Sequence, residues 1–273
     1  MSWSVVHHPT PAALLERARE ALLEDEARSS LILGIVEGLP SDATTTMLMT
    51  VEREGRVDTV ALRTPGHKLL LTDGSPEAID ALCEDLRRRR PDLPGVTGPT
   101  AATERFAHGF GDAEPTLHMR LHRLDRVAEV PQPPGHVRVA TPSDAAVLEP
   151  WAQGFVDESG SDDPRPGAEL LAPYLRQGSL YLWIDEGEPR CMAGWSRGTA
   201  NGASISMVYT PARSRGRGYA TALVARLSSE ILARGKRFCV LFTNLANPTA
   251  NAIYARIGYQ PVCDYESWSF TGP

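Results

Sequence analysis

The chain has 273 residues, too many for one typical domain and suitable for two, because domains cluster near about 100 to 150 residues. Apolar residues make up 42% of the sequence and charged residues 23%, which argues against a disordered or coiled-coil protein. The formal net charge of −6 argues against a generally basic surface that binds nucleic acid without sequence preference. Any anion site must therefore be local.

The cysteines are far apart and show no paired spacing: Cys83, Cys191, Cys239 and Cys263. The sequence therefore predicts neither a disulfide framework nor a zinc site, and reduced thiols indicate a cytoplasmic protein. The N-terminus lacks a basic region followed by an apolar one, and no run of about 18 apolar residues occurs. We expect neither secretion nor membrane insertion.

The first half of the sequence predicts a helix followed by short strands. Apolar residues recur at helical spacing from Pro11 to Arg28 and predict an amphipathic helix. Runs of strand-forming residues between turn-rich stretches predict four strands, at Ser30 to Val36, Thr45 to Glu52, Val57 to Arg63 and Lys68 to Thr72.

A second helix is predicted from Pro76 to Arg90, ending in four consecutive arginines. These arginines could form a nucleic-acid patch, but basic residues in a last helical turn also complement the helix dipole, and we favour that interpretation. Gly95 to Gly98 predicts a loop that leads into a further helix within Pro99 to Gly109, and Leu117 to Leu124 predicts a closing strand.

The best linker candidate is Pro131 to Gly135, which contains three prolines and cannot continue a helix or a central strand. We therefore predict a domain boundary near residue 132, with domains at residues 1–131 and 132–273. Beyond this linker a short strand precedes a helix start at Thr141 to Asp144, and the order of elements then repeats.

The second half predicts three antiparallel strands, at Leu180 to Asp185, Pro189 to Arg197 and Ala203 to Thr210. A strongly amphipathic helix follows from Gly218 to Arg234. Next comes Phe238 to Phe242, an unbroken apolar stretch typical of a strand buried on both faces. Strand, glycine turn, helix and strand together predict a βαβ unit.

The turn before the long helix combines Arg213, Arg215 and Arg217 with Gly216 and Gly218. A helix N-terminus offers unpaired amides and the positive end of its dipole, and small residues let a phosphate approach the backbone. The spacing is neither GxGxxG nor GxxxxGK[ST], so it supports neither a dinucleotide fold nor an NTPase. From the residues alone, a pyrophosphate site, a solvated glycine turn and an RNA contact all remain open.

The residues on either side of this turn carry a family resemblance. Arg215 to Ala220 resembles the (Q/R)xxGx(G/A) signature of the GNAT acyltransferases, and a strand ending in Val208, Tyr209 and Thr210 precedes it, as in that family. Asn247 to Tyr259 is similar to the second signature of the family: an asparagine, a short helix with a tyrosine, and a glycine before an aromatic residue. The resemblance covers residues 137 to 270.

The resemblance implies an α/β (α+β) fold of two tandem GNAT-like domains, each a mixed, mostly antiparallel sheet flanked by helices. In the first half, Leu71 to Ser75 precedes a helix without the glycine signature, so this half resembles a degenerate copy that binds no CoA. Two alike halves also imply either a monomer with pseudo-dimeric halves or a homodimer.

The resemblance further implies acetyl-CoA as co-substrate and no metal. The pantetheine arm would pair with backbone groups of the strand end, and the glycine loop would hold the pyrophosphate. Carried over by position, the cofactor-binding residues are Val208, Tyr209, Thr210, Arg215, Gly216, Arg217, Gly218, Tyr219, Ala220, Thr221 and Asn247.

In this family a neutral amine attacks the thioester directly, which requires a base for the ammonium proton and an acid for the leaving thiolate. Tyr254 stands at the family's general-acid position, although a structural core tyrosine is the alternative. Many relatives place a glutamate on the strand before the loop, but Ala203 to Met207 contains no acid. We prefer Glu158 as the base, next to Asp157, with a solvated surface acid or a water chain as alternatives.

These residues predict an N-acetyltransferase that transfers an acetyl (acyl) group to a primary amine of a small molecule or peptide. The alternative is a non-catalytic acyl-CoA-binding regulatory or sensor protein, since the strand glutamate is missing. An RNA-binding protein would need interleaved aromatic residues and a basic charge, and the sequence has neither. We therefore expect no nucleic-acid or membrane partner.

Overall fold

The computed structural model of the protein describes residues 2–43, 46–89, 91–160, 163 and 165–271. The chain divides into two compact units, one of Met1–Arg120 with Cys263–Pro273 and the other of Leu121–Val262. The first unit thus contains residues from both ends of the chain. The division into a degenerate domain and a catalytic domain near residue 132 stays a prediction.

The first part of the chain forms six strands and four helices within its described residues. They are β1 Ser4–His7, α1 Pro11–Glu24, α2 Glu26–Gly38, β2 Met47–Arg53, β3 Arg56–Arg63, β4 Leu69–Leu71, α3 Pro76–Arg89, β5 Gly95–Pro99, α4 Thr100–Phe110 and β6 Ala113–Leu124. Thr45, at the start of a predicted strand, and Arg90, at the end of a predicted helix, lie outside the described residues.

The strand predicted at Ser30 to Val36 is wrong, because these residues belong to helix α2. Asp25 separates α1 from α2, and its carboxylate accepts a hydrogen bond from the amide of Arg28 at 3.2 Å, which caps the second helix. A short apolar run fits a strand or a buried helix equally well by periodicity. Here Ile32 and its neighbours are buried on one helix face.

The loop predicted at Gly95 to Gly98 is also wrong, since Gly95–Pro99 is strand β5. A Cβ at Gly95 would lie 2.0 Å from the carbonyl oxygen of Trp268, and one at Gly98 would lie 2.8 Å from that of Leu71. The close approach of neighbouring backbones therefore requires glycine within this strand, although glycine is uncommon in strands.

The later part of the chain completes the strands and helices. They are β7 His136–Val139, α5 Ala145–Ser159, α6 Gly167–Gln177, β8 Leu180–Asp185, β9 Glu188–Ser196, β10 Gly202–Tyr209, α7 Tyr219–Ala233, β11 Phe238–Asn244, α8 Pro248–Ile257 and β12 Gln260–Phe270. Single 3₁₀ turns occupy Pro142–Asp144 and Ala212–Ser214. Within the described residues, no helix has the length and apolar character needed to cross a membrane.

The two units have similar sheets. The strand order is β1-β2-β3-β4-β5-β12 in the first unit and β11-β10-β9-β8-β7 in the second. In each unit one parallel pair, β4 with β5 and β10 with β11, encloses a helix, while the neighbouring strands pair antiparallel. This arrangement confirms the predicted fold class of mixed, mostly antiparallel sheets flanked by helices.

Strand β8 shows how the second unit packs helices on both faces of its sheet. Tyr181 and Trp183 point into one apolar cluster with helix α7, whereas Leu180, Leu182 and Ile184 point into another with α5. Successive side chains of a strand face opposite sides, so an apolar run is buried on both. Helices α5 and α7 are therefore both fixed against the strands that precede the glycine loop.

Candidate active site

Strand β10 is irregular at the end that leads into the glycine loop. Its register with β9 shifts between Ser206 and Tyr209, and Met207 has a φ of 54°, a left-handed conformation uncommon for residues with a side chain. The parallel pairs with β11 cover Gly202 to Ser204, and both strands continue beyond them. This bulge redirects the strand end and changes which of its backbone groups pair with neighbouring strands.

The glycine loop leads directly into the N-terminus of α7. Gly216 and Gly218 have φ values of 76° and 81°, and a Cβ at either position would meet no atom within 4 Å. No side chain caps this helix, and its first turn, Tyr219 to Thr221, contains no acid. Because the first amides of a helix have no intrahelical acceptor, this N-terminus can bind an anion.

The side chains of the loop and first turn do not all face the anion site. Arg217 is exposed, and no acid of the described residues forms an ion pair with it. Tyr219 is 3% exposed, its ring centroid lies 6.5 Å from that of Trp183, and its hydroxyl donates to Asp185. Tyr219 can therefore contribute only its backbone to a ligand at the loop. Ala220 is partly buried and Thr221 is buried.

Arg215 connects the loop to helix α5. Its Nε donates to the carbonyl oxygen of Thr210 at 2.9 Å, and its Nη2 lies 2.7 Å from each carboxylate oxygen of Glu158. Both side chains are about half exposed. The hydrogen bond to Glu158 raises the pKa of Arg215 above its ordinary value. The structure thus brings two predicted site residues together, with the guanidinium directed at Glu158.

Tyr209 also contacts α5 through its side chain. Its hydroxyl donates to Oε1 of Glu158 at 3.3 Å, and its ring centroid lies 6.4 Å from that of Trp151. A Cβ at Gly154 would lie only 2.6 Å from the Tyr209 hydroxyl oxygen. Burial, followed by the nearby Glu158 carboxylate, raises the pKa of Tyr209. The sequence gave one signal for this contact, because glycine inside a helix is unfavourable unless something approaches it closely.

Tyr254, the predicted general acid, is buried in the same apolar cluster as α7. It is 8% exposed, and its ring centroid lies 5.9 Å from that of Tyr259. Burial raises the pKa of Tyr254 well above its ordinary value, and nearby Cys191 raises it further. None of the described residues forms a hydrogen bond with its hydroxyl. This hydroxyl is therefore protonated at neutral pH and available as a donor.

Cys191 is a site neighbour that the sequence did not reveal. The Thr210 hydroxyl donates to its sulfur at 3.2 Å, and the side chain is fully buried. Burial raises the pKa of Cys191 to about 12, so the thiol is neutral. Thr210, predicted to act through its backbone, therefore also fixes its hydroxyl against strand β9.

Asn247 caps helix α8. Its side-chain oxygen accepts a hydrogen bond from the amide of Ala250 at 3.0 Å. Asn251 holds the same segment, because its side-chain nitrogen donates to the carbonyl oxygens of Asn244 and Asn247. The structure thus shows a role for Asn247 in orienting the helix that carries Tyr254, while its predicted contact with the cofactor is not tested.

The nearby acids lie in the last turns of α5. Asp157 accepts a hydrogen bond from Gln153 at 2.9 Å, and Glu158 is held by Arg215. Among the residues that the structure describes, no group of three or more His, Cys, Asp or Glu side chains could hold a metal ion.

Residues 181–269 match a known family, described as FR47-like protein. This match begins in β8, ends in β12 and includes the glycine loop and α8. No curated protein sequence matches the chain.

Solved structures resemble the whole chain. A GNAT-family acetyltransferase from Colwellia psychrerythraea is 11% identical, with 99% of this chain and 100% of that chain covered and a TM-score of 0.61. A GCN5-related N-acetyltransferase from Sphaerobacter thermophilus is 19% identical, with 97% and 94% covered and a TM-score of 0.63. A tandem GNAT protein from the clavulanic acid biosynthesis pathway is 15% identical, with 100% and 99% covered and a TM-score of 0.60.

Identities this low show the fold, and a fold does not determine the acceptor. The recognition from the two sequence signatures is confirmed at that level. The chain has the two-domain GNAT acyltransferase fold, and residues 181–269 form its FR47-like part.

Proposed function

We propose that the chain is an N-acetyltransferase that transfers an acetyl group from acetyl-CoA to a primary amine by direct attack. The observation that carries this proposal is the uncapped N-terminus of α7, which follows Gly216, Gly218 and the bulged end of β10. An anion cradle beside an irregular strand end suits a ligand with a pyrophosphate and an amide-containing arm. The residues present therefore fit acetyl-CoA.

Each loop residue has a defined part in this proposal. The amides of Gly216 to Thr221 bind the pyrophosphate, and Arg217 adds positive charge. The backbone of Val208 to Thr210 binds the pantetheine arm, beside the side-chain amide of Asn247. Arg215 acts at a distance from the phosphates, since its guanidinium holds Glu158.

Tyr254 is the proposed acid for the leaving sulfur. Its hydroxyl is protonated, buried and without a hydrogen-bond partner among the described residues. A phenol of ordinary pKa near 10 is a weaker acid than a thiol near 8.5. We therefore propose that Tyr254 stabilises the developing thiolate by a hydrogen bond, which is strongest as negative charge appears on the sulfur.

Glu158 is the proposed base for the ammonium proton of the acceptor. Both of its oxygens are engaged by Arg215, and one also accepts from Tyr209. To accept a proton, the carboxylate must exchange a bond to Arg215 for one to the acceptor. The acceptor is proposed only as a class, a primary amine of a small molecule or peptide. The free cysteines suit a reducing cytosol.

Calorimetry with acetyl-CoA, followed by free-thiol release with a panel of amines, tests the proposal. We expect saturable binding and amine-dependent thiol release. Tyr254→Phe should bind acetyl-CoA but turn over slowly, whereas Tyr259→Phe, a second buried tyrosine whose hydroxyl bonds to Ser228, should keep its turnover. Absence of acetyl-CoA binding would overturn the proposal. Binding without turnover would instead favour the regulatory acyl-CoA-binding alternative.

A further inference from the structure

The first unit contains a pocket that the proposed function does not use. Its volume is about 170 Å³, and it lies between the end of α1, the start of α2, strand β3 and the residues after β4. Leu22 and Val60 line it, and each is 2% exposed. The pocket therefore has an apolar wall formed by well-fixed core residues.

The rim of this pocket is acidic. Four carboxylates line it, from Glu24, Asp25, Asp58 and Asp73, against one guanidinium, from Arg28. Arg28 pairs with Asp73 at 2.5 Å and with Asp25 at 3.3 Å. Asp58 accepts only neutral donors, the amide of Ser75 at 2.8 Å and the hydroxyl of Thr59 at 3.1 Å. More negative than positive charge therefore surrounds the opening, which favours a cation.

Ser29 gives a second, independent indication of a ligand. It lines the pocket and is 9% exposed. No residue that the structure describes forms a hydrogen bond with its hydroxyl. Burying a hydroxyl without a partner is unfavourable, and such groups normally find one. A ligand with N–H donors inside the pocket would supply that partner.

We propose that this pocket binds a small primary ammonium with a short apolar chain. The ammonium lies between the Ser29 hydroxyl and the carboxylates of the rim, and the chain packs against Leu22 and Val60. The apolar wall favours an organic cation over a metal ion, and the described residues contain no group arranged to hold a metal. Most small-molecule sites combine such an apolar lining with a few placed polar groups.

Amide NMR of the full-length, ¹⁵N-labelled protein tests the proposal without acetyl-CoA, so its outcome does not depend on the proposed function. Titration with n-butylammonium chloride should give saturable shifts at residues lining the pocket. Sodium chloride at equal ionic strength and 1-butanol, the neutral counterpart, should not. Equal binding of 1-butanol, or shifts that do not saturate, would overturn the ammonium site.

Two substitutions separate the charge from the hydroxyl. Glu24→Gln removes a rim charge that no ion pair of the described residues uses, and Ser29→Ala removes the buried hydroxyl. Each should weaken n-butylammonium binding by about two- to fivefold, the range expected for one exposed charge contact or one hydrogen bond. Glu20→Gln makes the same charge change one turn earlier on α1, outside the pocket, and should leave the affinity unchanged. If Glu24→Gln and Ser29→Ala both bind like the unaltered protein, the proposal is wrong.

Discussion

Nη2 of Arg215 lies 2.7 Å from each carboxylate oxygen of Glu158. Glu158 lies in the last turn of α5 and Arg215 precedes the glycine loop, so one ion pair joins the proposed acceptor side to the proposed cofactor side. Because both side chains are about half exposed, the pair contributes little to folding, roughly 0–1 kcal/mol. Its main effect is to fix the position of the proposed base.

Glu158→Gln should lower kcat by about 100-fold or more, the usual contribution of a general base, and change the acetyl-CoA affinity little. Steady-state kinetics and calorimetry measure the two effects. The control is Asp157→Asn, an equal charge change at the neighbouring acid, which contacts Gln153 instead of Arg215. An unchanged kcat in Glu158→Gln would assign proton removal to water.

The role of Tyr254 should not depend on pH across the neutral and mildly alkaline range. Burial raises its pKa above the ordinary value of about 10, so the hydroxyl stays protonated at every pH below that value. The ratio of kcat between the unaltered protein and Tyr254→Phe should therefore be constant from about pH 7 to 9.5. A ratio that approaches one as the pH rises would show that Tyr254 ionises.

Gly218 and Gly235 lie at opposite ends of α7, with φ values of 81° and 93°, and a Cβ at either would meet no atom within 4 Å. Alanine at either position should lower the free energy of unfolding by about 1–2 kcal/mol, the cost of a left-handed residue. Only Gly218→Ala should also weaken acetyl-CoA binding, since its methyl group would face the proposed pyrophosphate. Urea unfolding and calorimetry measure the two quantities. Equal loss of affinity in both variants would contradict the placement of the pyrophosphate.

Asp144 anchors the start of α5. It accepts from Arg138 at 2.7 and 2.8 Å and from the Thr141 amide at 2.8 Å, and these bonds, led by Arg138, hold its pKa well below the ordinary range. A lowered folded pKa stabilises the protein above the unfolded value of about 4, and this stabilisation is lost as the pH falls towards the folded pKa. Asp144→Asn should therefore unfold about 1–2 kcal/mol more easily at pH 7, with a smaller difference below about pH 4. A difference independent of pH would contradict this assignment.

Local patterns predicted the elements of the second unit well. The predicted strand Leu180 to Asp185 coincides with β8, and the predicted helix Gly218 to Arg234 contains α7 with one extra residue at each end. Both elements have a clear periodicity and a glycine boundary, which are properties of neighbouring residues. The errors at Ser30 to Val36 and Gly95 to Gly98 arose where packing against distant residues decided the structure.

The same distinction applies to the candidate site. The glycine loop and the tyrosine helix were identified as contiguous motifs, but the partners of their side chains were not. Glu158 and Arg215 are separated by 57 positions, and Tyr209 and Glu158 by 51. No local pattern specifies such contacts, because they depend on how α5 packs against the end of β10.

The last strand has a consequence for the order of folding. Residues from Cys263 onward belong to the first unit, where β12 pairs with β5, so the second unit is nested within the first along the chain. During synthesis, Leu121–Val262 is complete before the first unit receives its final strand. Until then β5 presents an unpaired edge, the kind of surface through which chains associate incorrectly. A protein truncated after Val262 would keep that edge permanently.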